Sequence, residues 1–306
     1  MKNRTSYCAA IFSLLLWGTT FALAKMVTPD PLNPFTFIAL RSFFGLIVLF
    51  SFLILAKQVG EWFRVFKRHI KSFLLIGTLF FAVAYLLQFW ALSMTTASNQ
   101  SIISNTQAFW VVIFNILFFK QKPSKRFIMG LMLAMSGVLL IIMNTDINIS
   151  GNTIIGDLLS LLSFIFWGGY TAFIKPITTE EKPIYVTTSI IFVGALIIIP
   201  ASLFYGAPAE MAQLSLSQWG IVSFLGIFCV GVTYLLWNYA LSNKEIRSEN
   251  IAILTALNPV IGIITSVLWL GEVFSLRMFI GFVLIVIALF VSEYNPKKEI
   301  KKGNEI

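Results

Sequence analysis

Residues 72–119 contain no charged side chain. An apolar helix that crosses a bilayer takes about 20 residues, so this one stretch has room for two. A chain that carries such a run belongs in lipid. Further charge-free runs cover 5–24, 127–145, 158–174, 183–209, 211–243 and 250–271. Two more apolar segments carry charge: 35–56 contains Arg41, and 276–293 contains Arg277 and Glu293 near its ends. The pattern predicts an all-α integral membrane protein with ten spans, near 7–27, 35–56, 72–93, 98–119, 127–144, 156–174, 185–205, 217–240, 250–270 and 276–293. Composition agrees. Charged residues make up 11% of the chain, less than half the share of about 25% in soluble domains. A soluble enzyme, a disordered chain and a nucleic-acid-binding domain are thereby excluded, and membrane lipid is the expected surrounding.

The net charge of +9 then has a topological explanation. With the N-terminus placed inside, nineteen of the 22 Lys and Arg fall in inside segments, among them the clusters Arg64–Lys71, Lys120–Arg126 and Lys297–Lys302. Lys25 and Arg277 remain outside, and Arg41 lies within a span. Cytoplasmic loops are the ones enriched in Lys and Arg. Both termini are therefore expected in the cytoplasm, next to the anionic lipid of a cell membrane. The first span begins like a secretory leader, with Lys2 and Arg4 ahead of an apolar run and Ala22-Leu23-Ala24 resembling a cleavage site. Its residues recur inside the chain, however, so it is read as a true helix.

Little else in the chain supports chemistry. Cys8 and Cys229 sit in separate apolar runs, too few for a zinc site or a disulfide framework. The one histidine, His69, lies in a basic stretch and reads as a solvated loop residue. A single loop histidine builds neither a nucleophile–base pair nor a metal cluster, and no P-loop or dinucleotide-binding glycine pattern occurs. No catalytic residue, metal or cofactor is expected, and no ATP-driven pump.

The chain repeats at an offset near 150. Trp17-Gly18 and Lys25 face Trp167-Gly168 and Lys175. Tyr85-Leu86-Leu87 and Ala91-Leu92-Ser93 face Tyr234-Leu235-Leu236 and Ala240-Leu241-Ser242, and Gly130 faces Gly281. The expected halves are 1–144 and 145–306, the second ending in a short basic tail. Each has five spans, an odd number, so the second half is inverted. Inverted repeats mark secondary transporters, with the substrate site near mid-membrane between them.

These residues resemble a family. The Trp-Gly pairs with their following lysines, Leu40-Arg41, Asn258-Pro259, Leu270-Gly271-Glu272 and Gly281 are similar to the EamA-type transporters of the drug/metabolite transporter superfamily. The resemblance implies ten helices in two inverted five-helix repeats and the export or exchange of small metabolites, often amino acids. The first repeat departs from the pattern, with Gln121-Lys122 where Leu-Gly-Glu is expected and Phe109 opposite Pro259. The second has Ile191 in place of Arg41.

Polar side chains in a membrane bundle usually point inward. Helical spacing gathers Ser13, Trp17 and Thr20 on one face, and Ser160, Ser163, Trp167 and Tyr170 on another. It likewise aligns Thr78, Tyr85 and Gln88; Ser98, Ser101 and Asn105; Tyr234 and Asn238, beside Trp237; and Thr255, Asn258, Gly262, Thr265 and Trp269. Isolated serines and threonines also serve close helix contacts. The amides have four hydrogen-bonding positions each to satisfy, which a wet cavity does better than lipid. The expected pathway residues are Trp17, Thr20, Arg41, Tyr85, Gln88, Asn105, Trp167, Tyr170, Tyr234, Asn238 and Asn258. Pro259 interrupts its helix and, with Glu272, is a candidate hinge or gate. Arg41 has three readings: snorkelling to outer headgroups, an ion pair with Glu272, or contact with an anionic group of the substrate.

The span centres contain no Asp or Glu, so no buried proton relay is visible; exchange, facilitated transport and coupling through Glu272 stay open. The expected function is a secondary transporter of a small neutral or zwitterionic solute, an amino acid or a relative, working in the export direction. A nucleotide-sugar or phosphate-ester carrier would want several mid-membrane cations, and a membrane-embedded enzyme would want paired carboxylates. In a background lacking Cys8 and Cys229, an impermeant thiol reagent applied to intact cells should label a cysteine at Ser150 and spare one at Lys301. The reverse pattern would overturn the orientation.

Overall fold

The computed structural model of the protein describes residues 2–120, 125–142, 151–246, 248, 251 and 253–293. Gln121-Lys122, most of the loop at 145–152, Arg247 and the basic C-terminal tail lie outside the described residues. The spanning helices are α1 (Asn3–Lys25), α2 (Pro34–Leu55), α3 (Ile70–Met94), α4 (Ala97–Phe119), α5 (Lys125–Ile142), α6 (Thr153–Glu180), α7 (Pro183–Tyr205), α8 (Leu216–Leu241), α9 (Leu257–Leu270) and α10 (Leu276–Glu293). No strand occurs among the described residues. Local chemistry sets several ends. Asn33 accepts from the Phe35 amide ahead of Pro34, a proline at the start of a helix where its missing N–H is harmless. Ser215 and Gln218 form a capping box at the start of α8. The α9 helix stops at Gly271, whose φ of 65° is a left-handed conformation that glycine adopts without strain.

Three differences from the sequence reading matter. The α6 helix runs through Pro176 to Glu180, six residues past its expected end, because a proline removes only its own N–H from the ladder. The stretch after α2 is also a helix, Val59–Arg68, lying against the bundle with Trp62 and Val65 buried. His69 follows it and is not a solvated loop residue: its Nε2 lies 3.1 Å from Glu181, which also pairs with Arg68 at 2.8 Å. Cys8 is exposed, whereas Cys229 is buried.

The irregularities recur in both halves. A π-helical stretch occupies Ile76–Val83 in α3 and Ile227–Val232 in α8, at matching positions of the repeat. A 3-10 turn covers Ser104–Thr106 within α4 and Ile253–Ala256 just before α9. Each rotates the helix face that follows it.

Packing crosses between the halves. The α1 helix packs on α8 and α9, α6 on α3 and α4, α2 on α7 and α8, and α5 on α10. Glycines make the closest approaches, as in lipid, where small residues let backbones meet. A Cβ on Gly45 would stand 3.3 Å from the Gly226 carbonyl, and one on Gly194 would stand 3.4 Å from the Gly77 carbonyl. These are one crossing made twice. The Trp-Gly motifs repeat the device: Gly18 abuts Ile261 of α9, and Gly168 abuts Trp110 and Val111 of α4.

A methyl group at Gly168 would lie about 3.0 Å from the α4 backbone. Gly168→Ala should cost about 1–3 kcal/mol, read as a lower melting temperature in detergent. Gly220→Ala, with nothing within 4 Å, should not destabilise. Equal behaviour of the two variants would contradict this packing.

Candidate functional site

The crossing helices leave a cavity of about 540 Å³, counting space continuous with solvent. Its wall draws on both halves: Trp17, Thr20 and Phe21 of α1; Arg41 of α2; Tyr85, Gln88 and Phe89 of α3; Ser104 and Gln107 of α4; Phe164, Trp167, Tyr170 and Thr171 of α6; Tyr234 and Trp237 of α8; and Asn258 of α9.

Aromatic rings form most of the box. Trp17 meets Tyr234 and Trp237 at centroid distances of 5.0 and 5.4 Å. Trp167 meets Tyr85 at 5.3 Å and Tyr170 at 5.7 Å. The two motif tryptophans occupy equivalent places but find different acceptors. Trp17 Nε1 donates to the Cys229 carbonyl at 3.0 Å, within the π-helical stretch of α8, while Trp167 Nε1 donates to Gln88 Oε1 at 3.2 Å. Gln88 is held in turn, its main-chain carbonyl accepting from Gln100 Nε2 at 2.7 Å. Gln107 Nε2 reaches the Thr171 hydroxyl at 3.3 Å.

Some polar atoms in this wall have no partner among the described residues: Nε and Nη1 of Arg41, the Thr20 hydroxyl and Oδ1 of Asn258. Arg41 is 1% exposed, so it does not snorkel. It forms no ion pair with Glu272, whose carboxylate instead accepts from the Ala97 and Ser98 amides, both at 2.9 Å, and from the Ser98 hydroxyl at 2.6 Å. That is a carboxylate at a helix N-terminus, where the dipole favours it. The Arg41 guanidinium lies against the rings of Phe37, Tyr85 and Phe89 at 5.2, 5.5 and 4.8 Å. Such contacts are worth about 0.5–2 kcal/mol each, against a desolvation penalty of several kcal/mol.

Of the residues expected to line a pathway, Trp17, Thr20, Arg41, Tyr85, Gln88, Trp167, Tyr170, Tyr234 and Asn258 meet at the cavity. Asn105 and Asn238 do not. Asn105 is buried in the 3-10 turn of α4, its amide atoms without partners. Asn238 stands behind the wall, its Nδ2 donating to Thr187 Oγ1 at 2.8 Å and to the Tyr170 hydroxyl at 3.0 Å. Trp269 turns outward, 48% exposed. Pro259 is buried in the first turn of α9, and Glu272 follows that helix. The expected pathway set lacks Phe21, Phe89, Ser104, Gln107, Phe164 and Thr171, which also line the cavity. Gln107 and Thr171 could have been found as one more polar pair on helices already read as facing inward.

The two ends of the bundle are fastened differently. At one, Lys175 Nζ donates to the carbonyls of Leu241, Asn243 and Ile246 at 2.6, 2.7 and 2.7 Å, closing the end of α8. Its repeat counterpart Lys25 is half-buried at the other end and makes no such grip among the described residues. There, Asp157 of α6 accepts from Thr95 and from Asn99 Nδ2, and holds the α3–α4 turn alongside Glu272.

Known proteins place this arrangement. The profile described as the EamA-like transporter family matches residues 4–143 and 154–294. The uncharacterized transporter YyaM of Bacillus subtilis is 26% identical over 98% of this chain and 99% of its own length. A probable amino-acid metabolite efflux pump of Escherichia coli K12 is 26% identical over 68% of this chain and 72% of its own. A solved structure, titled only as the crystal structure of a protein, shares the fold with a TM-score of 0.69 at 18% identity, covering 94% of this chain and 96% of that one.

Asn238 ties Tyr170 to α7, so Asn238→Leu should leave the Tyr170 and Thr187 hydroxyls short of a buried partner, at about 1–2 kcal/mol. Tyr170→Phe should cost less, since Asn238 keeps Thr187. Thermal unfolding in detergent checks the order; a larger loss in Tyr170→Phe would contradict it.

Proposed function

Because the chain belongs to the EamA-like transporter family, we propose that it carries a small organic metabolite, an amino acid or a related neutral or zwitterionic solute, out across the cell membrane by alternating access. The observation that carries this reading is the cavity between the two halves, walled by rings and holding unpaired polar atoms. Aromatic walls take up an apolar body, and a few placed polar groups orient it. The name of the Escherichia coli relative, a probable amino-acid metabolite efflux pump, points the same way.

The lining residues shared with the expected pathway would contact the solute, while Asn238 positions Tyr170 and Asn105 lies off the path. Pro259 would be the hinge of α9, and Glu272 the clasp whose release frees α4. The halves 1–144 and 145–306 are proposed as the two repeats, with both termini cytoplasmic. Alternating access requires that a single state be unequal at its two ends. The engaged Lys175 and the disengaged Lys25 support that: in the opposite state Lys25 would close the end of α3 and Lys175 would let go.

A phosphate-ester carrier is less well supported, since Arg41 is the one cation in the described wall. An embedded enzyme finds no carboxylate there either.

Metabolite profiling of cells with and without the protein should show one class of amino acid or relative accumulating outside only when it is present, and proteoliposomes should reproduce the flux. Trp17→Ala and Asn258→Ala should lower that flux at least about tenfold, a loss of about 1.4 kcal/mol in binding, at unchanged membrane abundance. Unaltered flux in both variants would remove the cavity from the pathway.

A further inference from the structure

Among the described residues, the cation in the cavity wall has no counter-ion. Arg41 is almost fully buried, two of its nitrogens are unpaired, and its guanidinium rests against three rings. Resting on the reading of this cavity as the cargo site, we propose that Arg41 anchors a carboxylate, so that the cargo is an organic monocarboxylate whose apolar body fills the aromatic box.

Three observations lead there. A buried charge needs a partner of opposite sign that also accepts its hydrogen bonds. The rings supply neither: they attract the face of a guanidinium and leave its N–H groups unmet. The described part of the chain withholds its own acids, since no Asp or Glu among the described residues lines the cavity and the two carboxylates at the N-terminal end of α4 are committed, Glu272 to Ala97 and Ser98 and Asp157 to Thr95 and Asn99. The counter-ion therefore has to arrive with the cargo.

The number of cations sets the charge of that group. One guanidinium balances one carboxylate, and a planar fork holds its two oxygens together. A phosphate monoester carries about 1.5–2 negative charges. The excess would face the electron-rich rings of Trp17, Trp167, Tyr85 and Tyr234. An amine lacking a carboxylate would set a second cation beside Arg41. With a carboxylate in place, Oδ1 of Asn258 stays available to accept from an amino group on the same molecule. That contact is an addition; the carboxylate carries recognition.

The test uses the purified full-length chain, read by melting temperature and by tryptophan fluorescence. The probes are 3-phenylpropionate, 2-phenylethylamine and phenyl phosphate, which share a ring and differ in charge. Wild type should bind the carboxylate at least about tenfold more tightly than the other two. Arg41→Met should lose that preference yet melt higher than wild type without ligand, because it no longer buries an unpaired charge. A merely structural arginine would give the opposite, a lower melting temperature with binding spared. If Arg41→Met does not yield folded protein, Arg41→Lys should fold and still lose about tenfold in carboxylate affinity, since lysine has no fork. Tighter binding of the amine or the phosphate, or carboxylate binding indifferent to Arg41, overturns the proposal. Trp17→Ala separates the two levels. Binding that depends on Trp17 but not on Arg41 leaves the cavity as the cargo site and removes the carboxylate assignment. Binding indifferent to both, or absent for all three probes, overturns both readings.

Discussion

The structure depends on backbone contacts between helices of opposite halves. In lipid, apolar side chains gain little by leaving one apolar neighbour for another, so association rests on close van der Waals packing. Here the close points are glycines, and they are reciprocal. Gly45 of α2 sits on Gly226 of α8, and Gly194 of α7 sits on Gly77 of α3. Gly18 and Gly168 press α1 onto α9 and α6 onto α4. The main partners of α1, α2, α3, α5 and α6 all belong to the other half. The cavity follows from this arrangement, because it is the space that crossed helices cannot fill between their points of closest approach.

The helices around that space are irregular where they face it. The π-helical stretch of α8 includes Cys229, whose carbonyl takes the Trp17 indole. Its counterpart in α3 ends just before Tyr85, Gln88 and Phe89, which line the wall. A π-bulge adds a residue to one turn and is frequent at functional sites. The surroundings of Arg41 belong to the same design. Its carbonyl lies 2.9 Å from where a Cβ on Gly226 would be, so the tight α2–α8 crossing fixes the backbone from which the guanidinium reaches the cavity. A charge that is costly to bury is held by a contact that is hard to shift.

Much of this was legible in the sequence. Charge-free runs marked the spans because lipid tolerates few charges, and Trp17-Gly18 and Trp167-Gly168 marked the repeat because glycine crossings need glycine twice. Trp17, Tyr85, Trp167, Tyr170 and Tyr234 could be read as lining because large rings with a polar tip are poorly placed at mid-membrane unless they face inward. Helical-wheel arithmetic failed where the helix is not α. Counting from Ser98 and Ser101 puts Asn105 on their face, but it falls in a 3-10 turn that changes the angle per residue. Trp269 departs for another reason, since α9 is α-helical from Leu257 to Leu270: it lies in the last turn of the helix and is 48% exposed. The surface helix Val59–Arg68 was hidden for another reason: its charges resemble those of any basic loop, and only the burial of Trp62 and Val65 reveals a face. The partners of Glu272 and Asp157 lie far away in sequence and no local pattern announces them.

The two halves share a backbone plan but not their chemistry, and the difference falls at the cavity. Arg41 has Ile191 as its counterpart, and Gln88 has Trp237 at the offset of the tyrosine motif. The first half thus contributes the cation and two amides, Gln88 and Gln107, while the second contributes an extra indole and Asn258. Matching backbones suit a molecule with two related end states, since each closure at one end can have a counterpart at the other, as proposed for Lys175 and Lys25. Identical side chains would present a symmetric wall, suited to a symmetric or featureless solute. A wall with rings from both halves but its cation from one only favours a solute that is itself polar at one end. In the alternating access proposed above, divergence of the halves at these few positions would add orientation of the cargo to a scaffold whose symmetry supplies the motion.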